Sequence, residues 1–234
     1  MDTNLENIAK KIVIAIDGPA GSGKSTTAKI VAEALKYIYV DTGAMYRAVT
    51  LAWIRENKEY NEDNIIDLCK NIDITLENTS LGQRTFLNKQ DVSEEIRSSE
   101  VTQLVSPVSA IPKVREILVD MQRKMGENGG IVMDGRDIGT VVFPNAELKV
   151  FLTADIKTRA QRRYNEIINK GVNADINSIE QEILKRDKYD SSRETSPLRQ
   201  ADDAIEIDTS NMTLSQQANY VIGLAKAVIN EINV

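Results

Sequence analysis

Eight consecutive residues, Gly18-Pro19-Ala20-Gly21-Ser22-Gly23-Lys24-Ser25, bring three glycines, a lysine and two hydroxyls together. The spacing is G-x-x-x-x-G-K-[ST]. Such a run lets bare backbone N–H groups converge on an anion, with Lys24 reaching its outer charges and the Ser25 hydroxyl placed for Mg²⁺. Polyphosphate is the ligand that suits this geometry. Gly18, Pro19, Ala20, Gly21, Ser22, Gly23, Lys24, Ser25 and the following Thr26 are read as the site of a donor nucleotide, ATP.

A loop of this kind needs a strand to launch it and a helix to receive it. Ile12-Val13-Ile14-Ala15-Ile16 precedes it, apolar and rich in β-branched residues, as a strand buried on both faces should be. Thr26 to Leu35 follows with apolar residues at helical spacing. That order aims a helix N-terminus at the same anion.

Other charged clusters also follow apolar runs. Asp41-Thr42-Gly43-Ala44-Met45-Tyr46-Arg47 comes after Tyr37-Ile38-Tyr39-Val40, and Asp134-Gly135-Arg136-Asp137 after Ile131-Val132-Met133. Ligands of doubly wound sheets bind at such carboxyl ends. Asp134 stands where an acid beside Mg²⁺, or beside its water, belongs. Thr42 is equally well read as the N-cap of the next helix, and Arg47 as a solvated helix residue. Arg159, Arg162 and Arg163 share a helix face. They form either a solvated basic face or a lid that closes over donor phosphates. Arg186, Asp190 and Arg193 line one face if their segment is helical, and Ser191-Ser192 suggests fraying there.

Composition narrows the class. The chain has 234 residues, 41% of them hydrophobic, which supports one sizeable core and a small appended lobe. A net charge of −6 argues against a broad basic face for a nucleic-acid polymer. Cys69 is the sole cysteine, so no internal disulfide or cysteine metal cluster is expected, which fits a reducing cytoplasm. No apolar run approaches the roughly 18 residues of a membrane span. Met1 to Asn7 lacks the pattern of a signal peptide. No obvious exposed apolar stripe stands out, so a monomer is expected. There is no histidine. General-base work falls to carboxylates, or the chemistry needs little proton transfer. Phosphoryl transfer meets the second condition.

Short apolar runs alternate with helical patterns over Gly43–Arg55, Pro112–Met125, Ile156–Ile168, Ile179–Lys188 and Leu214–Ile229. With Leu148–Leu152 and Ala204–Ile207 as further strands, the fold class is α/β. The expected architecture is a P-loop, doubly wound, parallel five-stranded sheet with helices on both faces. Residues 59–103 break the rhythm. Ile72–Leu76 and Gln83–Leu87 read as a hairpin around Asn78-Thr79-Ser80-Leu81-Gly82. The expected division is a core of 1–58 and 104–234, with a lid at about 155–195, and an inserted lobe of 59–103. Within that lobe Asn88-Lys89-Gln90-Asp91 matches N-K-x-D, the guanine-reading motif of GTPase switches. A switch also needs D-x-x-G between the two motifs, and no Asp from Asp41 to Asp73 has Gly three residues on. The motif is read as a solvated turn end.

Taken together these stretches resemble the bacterial cytidylate kinases of the nucleoside monophosphate kinase family, from about Ile12 to Ala227. Asp134-Gly135-Arg136-Asp137-Ile138-Gly139-Thr140-Val141-Val142-Phe143-Pro144 is the most specific of them. Asp91 to Arg97 and Pro112 to Glu116 add to the match. The resemblance implies transfer of the γ-phosphoryl group of ATP to CMP or dCMP, with Mg²⁺. It implies that Ser106, Arg115 and Asp137 read cytosine. Thr42, Arg47, Arg136 and Arg193 would hold the acceptor phosphate, with Tyr46 packing nearby, and Arg186 and Asp190 would hold the pentose. Lys24, Arg136 and Arg193 with the lid residues Arg159, Arg162 and Arg163 would act on the transferring group. Thr42 stands where the family often has Ser, and Ser25 is a variable position there.

Overall fold

A computed structural model describes residues 10–56, 59–79, 82–169 and 171–233. Met1 to Asn7 and the hairpin-turn residues Ser80 and Leu81 lie outside them. From β1 (Val13–Asp17) the chain passes through the glycine-rich loop into α1 (Lys24–Leu35), returns as β2 (Ile38–Asp41) and enters α2 (Thr42–Glu56). Next come α3 (Glu62–Asn71), the antiparallel strands β3 (Ile74–Thr79), β4 (Gly82–Leu87) and β5 (Gln90–Asp91), and the helices α4 (Ser99–Ala110) and α5 (Pro112–Gly126). The chain continues as β6 (Ile131–Gly135), β7 (Leu148–Thr153), α6 (Ile156–Ile168), α7 (Ile176–Ser192), β8 (Ile205–Asp208) and α8 (Leu214–Ile232).

The main sheet has the order β2-β6-β1-β7-β8, and every pairing in it is parallel. β1 is apolar because both its faces are covered. Ile14 and Ile16 pack with Ala28 and Val31 of α1 and Val221 of α8. Val13 and Ala15 pack on the opposite side with Val119 of α5. From β1 the chain leads toward β2, and from the neighbouring β6 it leads the other way, toward β7. The crevice at the carboxyl ends of these two strands is the topological switch point of the sheet. Register brings acids there: Asp41 of β2 pairs with Asp134, and Asp17 of β1 with Gly135.

The segment between β2 and β6 builds a second core. Met45, Val49 and Trp53 of α2 meet Ile65 and Cys69 of α3, Ile74 and Leu87 of the hairpin, Val105 of α4 and Leu118 of α5. The hairpin pairs Ile74 with Leu87 and gains β5 as a third strand. Asn88 and Lys89 turn the chain from β4 into β5 with φ of 50° and 68°. Consecutive left-handed residues are what a tight two-residue hairpin turn requires. The N-K-x-D stretch is thus a turn and an exposed strand end.

Several elements differ from the sequence reading, which contains neither α3 nor β5. α4 was not expected, because Pro107 and three serines obscure its apolar spacing; Val101, Val105 and Val108 are nonetheless buried on one side. α7 starts earlier, at an Asp175 cap that accepts from Ser178 N at 2.8 Å, and runs through the serines expected to fray it. The Ser191 and Ser192 hydroxyls donate back to Lys188 O and Tyr189 O, which keeps them compatible with a last helical turn. Finally, the cap of α2 is Asp41, which accepts from Ala44 N at 3.1 Å. Thr42 already lies inside the helix, and its hydroxyl donates to Asp134 O at 2.8 Å.

Candidate active site

The glycine-rich loop is shaped by what surrounds it. Gly18 has φ of 150°, and a Cβ there would lie 2.1 Å from Leu152 O of β7. Gly23, at φ 89°, precedes α1 and offers no side-chain cap, so the first N–H groups of that helix face the loop. Thr26 lies exposed in its first turn. Lys24 is buried, with Nζ donating to Pro19 O at 3.0 Å. Burial, and next the charge of Arg136, pull its ammonium down to about 7.

Ser25 Oγ donates to Asp134 Oδ2 at 2.7 Å, and the Tyr39 hydroxyl donates to Oδ1 at 2.8 Å. Burial, followed by the charge of Asp41, pushes the Asp134 carboxyl up to about 6. A hydroxyl and a carboxylate in contact are the hard oxygen donors that Mg²⁺ takes from a protein while keeping waters of its own. The donor set fits the ion. Among the described residues no cluster of three or more acids, histidines or cysteines makes an all-protein metal cage.

Beyond Asp134 the site turns basic. Arg136 Nε donates to Asp190 Oδ2 at 2.9 Å, while Arg186 and Arg193 approach the same carboxylate at 3.9 Å each. Burial would raise Asp190, but the arginines outweigh it and hold the carboxyl below its usual range. Arg186 is pulled down to about 10, by burial first and then by Arg136. Arg186 Nε and Arg193 Nη2 are buried without a hydrogen-bond partner. Arg47 donates to Ile96 O at 3.0 Å and to Thr102 Oγ1 at 2.8 Å, and burial draws it down to about 9. Arg136, Arg186 and Arg193 converge on one shared carboxylate, Asp190, while Asp187 and Asp41 add weaker attraction to Arg186 and Arg47.

Behind this cluster lies a buried pair. Arg115 binds Asp137 through Nη2 and Ser109 O through Nη1, the latter at 2.9 Å. The guanidinium carbon sits 5.1 Å from the centre of the Tyr46 ring, and Arg115 Nε is unpartnered. Ser106, half-buried on α4, accepts from Ser109 Oγ through its carbonyl. Gly135 lets Thr42 and Ile138 close on the end of β6: a Cβ there would lie 2.7 Å from Thr42 Oγ1.

The arginines of α6 part ways. Arg159 is buried and bonded to Ala20 O, Ala154 O and Asp187. Arg162 donates to Thr209 O at 2.7 Å and Thr209 Oγ1 at 3.1 Å. Arg163 is exposed and pairs with Glu166 at 2.9 Å, outside that group.

Residues 14–227 match the protein family described as cytidylate kinase. The chain belongs to the cytidylate kinase family. It is 51% identical over 214 residues to the cytidylate kinase of Bacillus subtilis (strain 168), covering 91% of this chain and 96% of that one. It is 51% identical over 223 residues to the cytidylate kinase of Listeria innocua serovar 6a, covering 95% and 99%. Among solved structures, an uncharacterised protein from Eubacterium ventriosum ATCC 27560 aligns with a TM-score of 0.51 at 14% identity, over 93% of this chain and 99% of that one; it shares the fold.

Three residues of the candidate site in this cytidylate kinase family member were not singled out from sequence. Asp17 accepts from Ile138 N at 2.9 Å and Gly139 N at 2.8 Å, clamping the turn after Asp137 to the end of β1. Burial pushes its carboxyl up to about 7. Tyr39 holds Asp134, and Asp187 holds the glycine-rich loop at Ala20. An acid closing a buried strand directly before the loop is the signal for Asp17, and helical spacing from Asp190 is the signal for Asp187.

Proposed function

We propose that this chain transfers the γ-phosphoryl group of ATP to CMP or dCMP, giving ADP and CDP or dCDP. The observation that carries the reading is the surplus of arginine beside the donor loop. Arg136, Arg186 and Arg193 share Asp190, and Arg47 bonds to neutral oxygens. Buried like charges repel one another, and a second, anionic substrate relieves that repulsion.

In this reading the loop amides, Lys24, Ser25 and Thr26 hold ATP. Ser25, and Asp134 through water, hold Mg²⁺, which when bound neutralises charge on the β- and γ-oxygens. Thr42, Arg47, Arg136 and Arg193 hold the acceptor phosphate beside Tyr46. Arg186 and Asp190 hold the pentose. Asp137 accepts from the exocyclic amine of cytosine, a donor that uracil lacks, and Arg115 and Ser106 complete base recognition. The acceptor phosphate is already an anionic nucleophile, so no strong base is needed. Rate comes from alignment and from the cations Lys24, Arg136 and Arg193 around the transferring group. Arg159, Arg162 and Arg163 on α6 serve the lid that keeps water out. We read residues 59–103 as the monophosphate-binding lobe on a core of 1–58 and 104–234. The protein acts as a cytoplasmic monomer on small nucleotides.

The deciding experiment is steady-state ADP release with CMP, dCMP, UMP, AMP and shikimate as acceptors. CMP and dCMP should lead. Equal turnover with UMP or AMP would remove the base assignment, and nucleotide hydrolysis without any acceptor requirement would favour a switch.

A further inference from the structure

Asp187 lies one turn before Asp190 on α7 and turns to the other substrate's loop. Its Oδ1 accepts from Ala20 N at 3.0 Å. Its Oδ2 accepts from Arg159 Nη1, and the same Nη1 donates to Ala20 O at 3.0 Å. Both backbone groups of Ala20 are therefore fixed, one by an acid of α7 and the other by a base of α6. Arg159 is itself tied back to Ala154 O at 3.0 Å. A Cβ at Gly21 would lie 3.1 Å from the Arg159 Cβ, so the loop rests directly on α6. The ion pair is largely withdrawn from water, with side-chain exposures of 9% for Arg159 and 18% for Asp187. Buried charge-assisted bonds of this kind hold geometry tightly. Three residues on, Asp190 binds Arg136 and gathers Arg186 and Arg193. A single turn of α7 thus carries one acid for the donor loop and one for the acceptor arginines.

We propose that Asp187 is a positioning residue for the donor nucleotide. It holds the Pro19–Ala20 half of the loop against the lid helices and so sets the transferring phosphoryl group in register with the acceptor site. The proposal rests on the reading of Gly18–Ser25 as the ATP site. Misplacement by about 1 Å of groups that must align costs on the order of 100-fold in rate, so a modest slackening of the loop is measurable.

The test uses the full chain and the ADP-release assay, with ATP and CMP each varied at saturation of the other. Asp187→Asn keeps the volume and one acceptor oxygen but loses the charge. It should raise the KM for ATP by about tenfold and leave the KM for CMP within about twofold, a split that simple loss of stability does not produce. Asp187→Ala should add a fall in kcat; if it does not fold, the asparagine variant decides. Placed in an Arg159→Gln background, Asp187→Asn should change the ATP KM by less than about twofold, because the two side chains act through one contact. An unchanged ATP KM, or equal rises for ATP and CMP, overturns the proposal. Lys24→Ala separates the two levels. Turnover surviving that change removes the underlying reading of the loop. Loss of turnover there, with a normal ATP KM in Asp187→Asn, removes only the role of Asp187.

Discussion

Ser25 Oγ and Asp134 Oδ2 meet at 2.7 Å, joining the first turn of α1 to the end of β6. The contact has a pH dependence. With its carboxyl pushed up to about 6, Asp134 is partly protonated in mildly acidic solution, where a cation must displace a proton. Turnover at limiting Mg²⁺ should therefore fall as the pH drops through about 6, and excess Mg²⁺ should move that fall to lower pH. The acceptor phosphate also titrates near about 6, so the wild type alone is not decisive. Asp134→Asn lacks only the enzyme's step. It should need about tenfold more Mg²⁺ at neutral pH, in keeping with the loss of a metal-site partner. Parallel Mg²⁺ titrations at every pH, unchanged in the variant, would disconnect Asp134 from the metal.

Lys24 gives a second titration. Its ammonium, lowered to about 7 by burial and then by Arg136, gives up its proton more readily than an ordinary lysine in the free protein. Nucleotide phosphates beside Nζ favour the charged form. ATP binding should then take up protons above neutral pH, and fewer as the pH falls. Calorimetry in buffers of different ionisation enthalpy reads this directly. Lys24→Ala should abolish phosphoryl transfer and the linked uptake together. Uptake that persists without the lysine would have to belong to another group.

The proposed function assigns base discrimination to Asp137, and the burial of that residue decides which variant tests the assignment. Asp137 is buried against Arg115. Truncation to Ala would leave a buried guanidinium unpaired and cost about 3–5 kcal/mol of stability. Asp137→Asn keeps the volume and an oxygen acceptor while adding an amide donor. CMP-over-UMP preference in kcat/KM should fall by about 1–3 kcal/mol, the scale of one good base contact. An unaltered ratio in a folded variant would place base recognition elsewhere.

Strand ends were legible because each stops on an acid after an apolar run: Asp41 after Val40, Asp134 after Met133. The loop was legible because its chemistry lies within eight consecutive residues. What escaped depends on contacts across the chain. Asp17 reaches a turn 121 residues away, Tyr39 an acid 95 away, and Asp187 a loop 167 away. Periodicity can place Asp187 on the face of Asp190, but it does not name the partner that any of the three reaches. The arginines of α6 show the converse limit. Helical spacing put three on one face, yet carbonyls distant in sequence, Ala20 O and Thr209 O, draw Arg159 and Arg162 inward, and Arg163 keeps a local partner, Glu166, at the surface.

The arginine cluster should be worth more to turnover than to stability. Asp190 already has a 2.9 Å bond to Arg136, and Arg186 adds an approach at 3.9 Å with Nε left unpartnered. Removing Arg186 relieves repulsion with Arg136 and deletes a buried Nε that makes no hydrogen bond, against the loss of a long ion pair to Asp190. Arg186→Gln should hold or raise Tm, by up to about 4 °C for a domain of this size. The same change should lower turnover by at least about tenfold, because a positive charge is lost from the acceptor site. Thermal unfolding without nucleotide and the ADP-release assay measure the two effects separately. A variant both destabilised and fully active would mean that Arg186 is held in place by packing and that the surplus charge serves no substrate. A variant both stable and inactive fits a site whose self-repulsion is retained for the anion it binds.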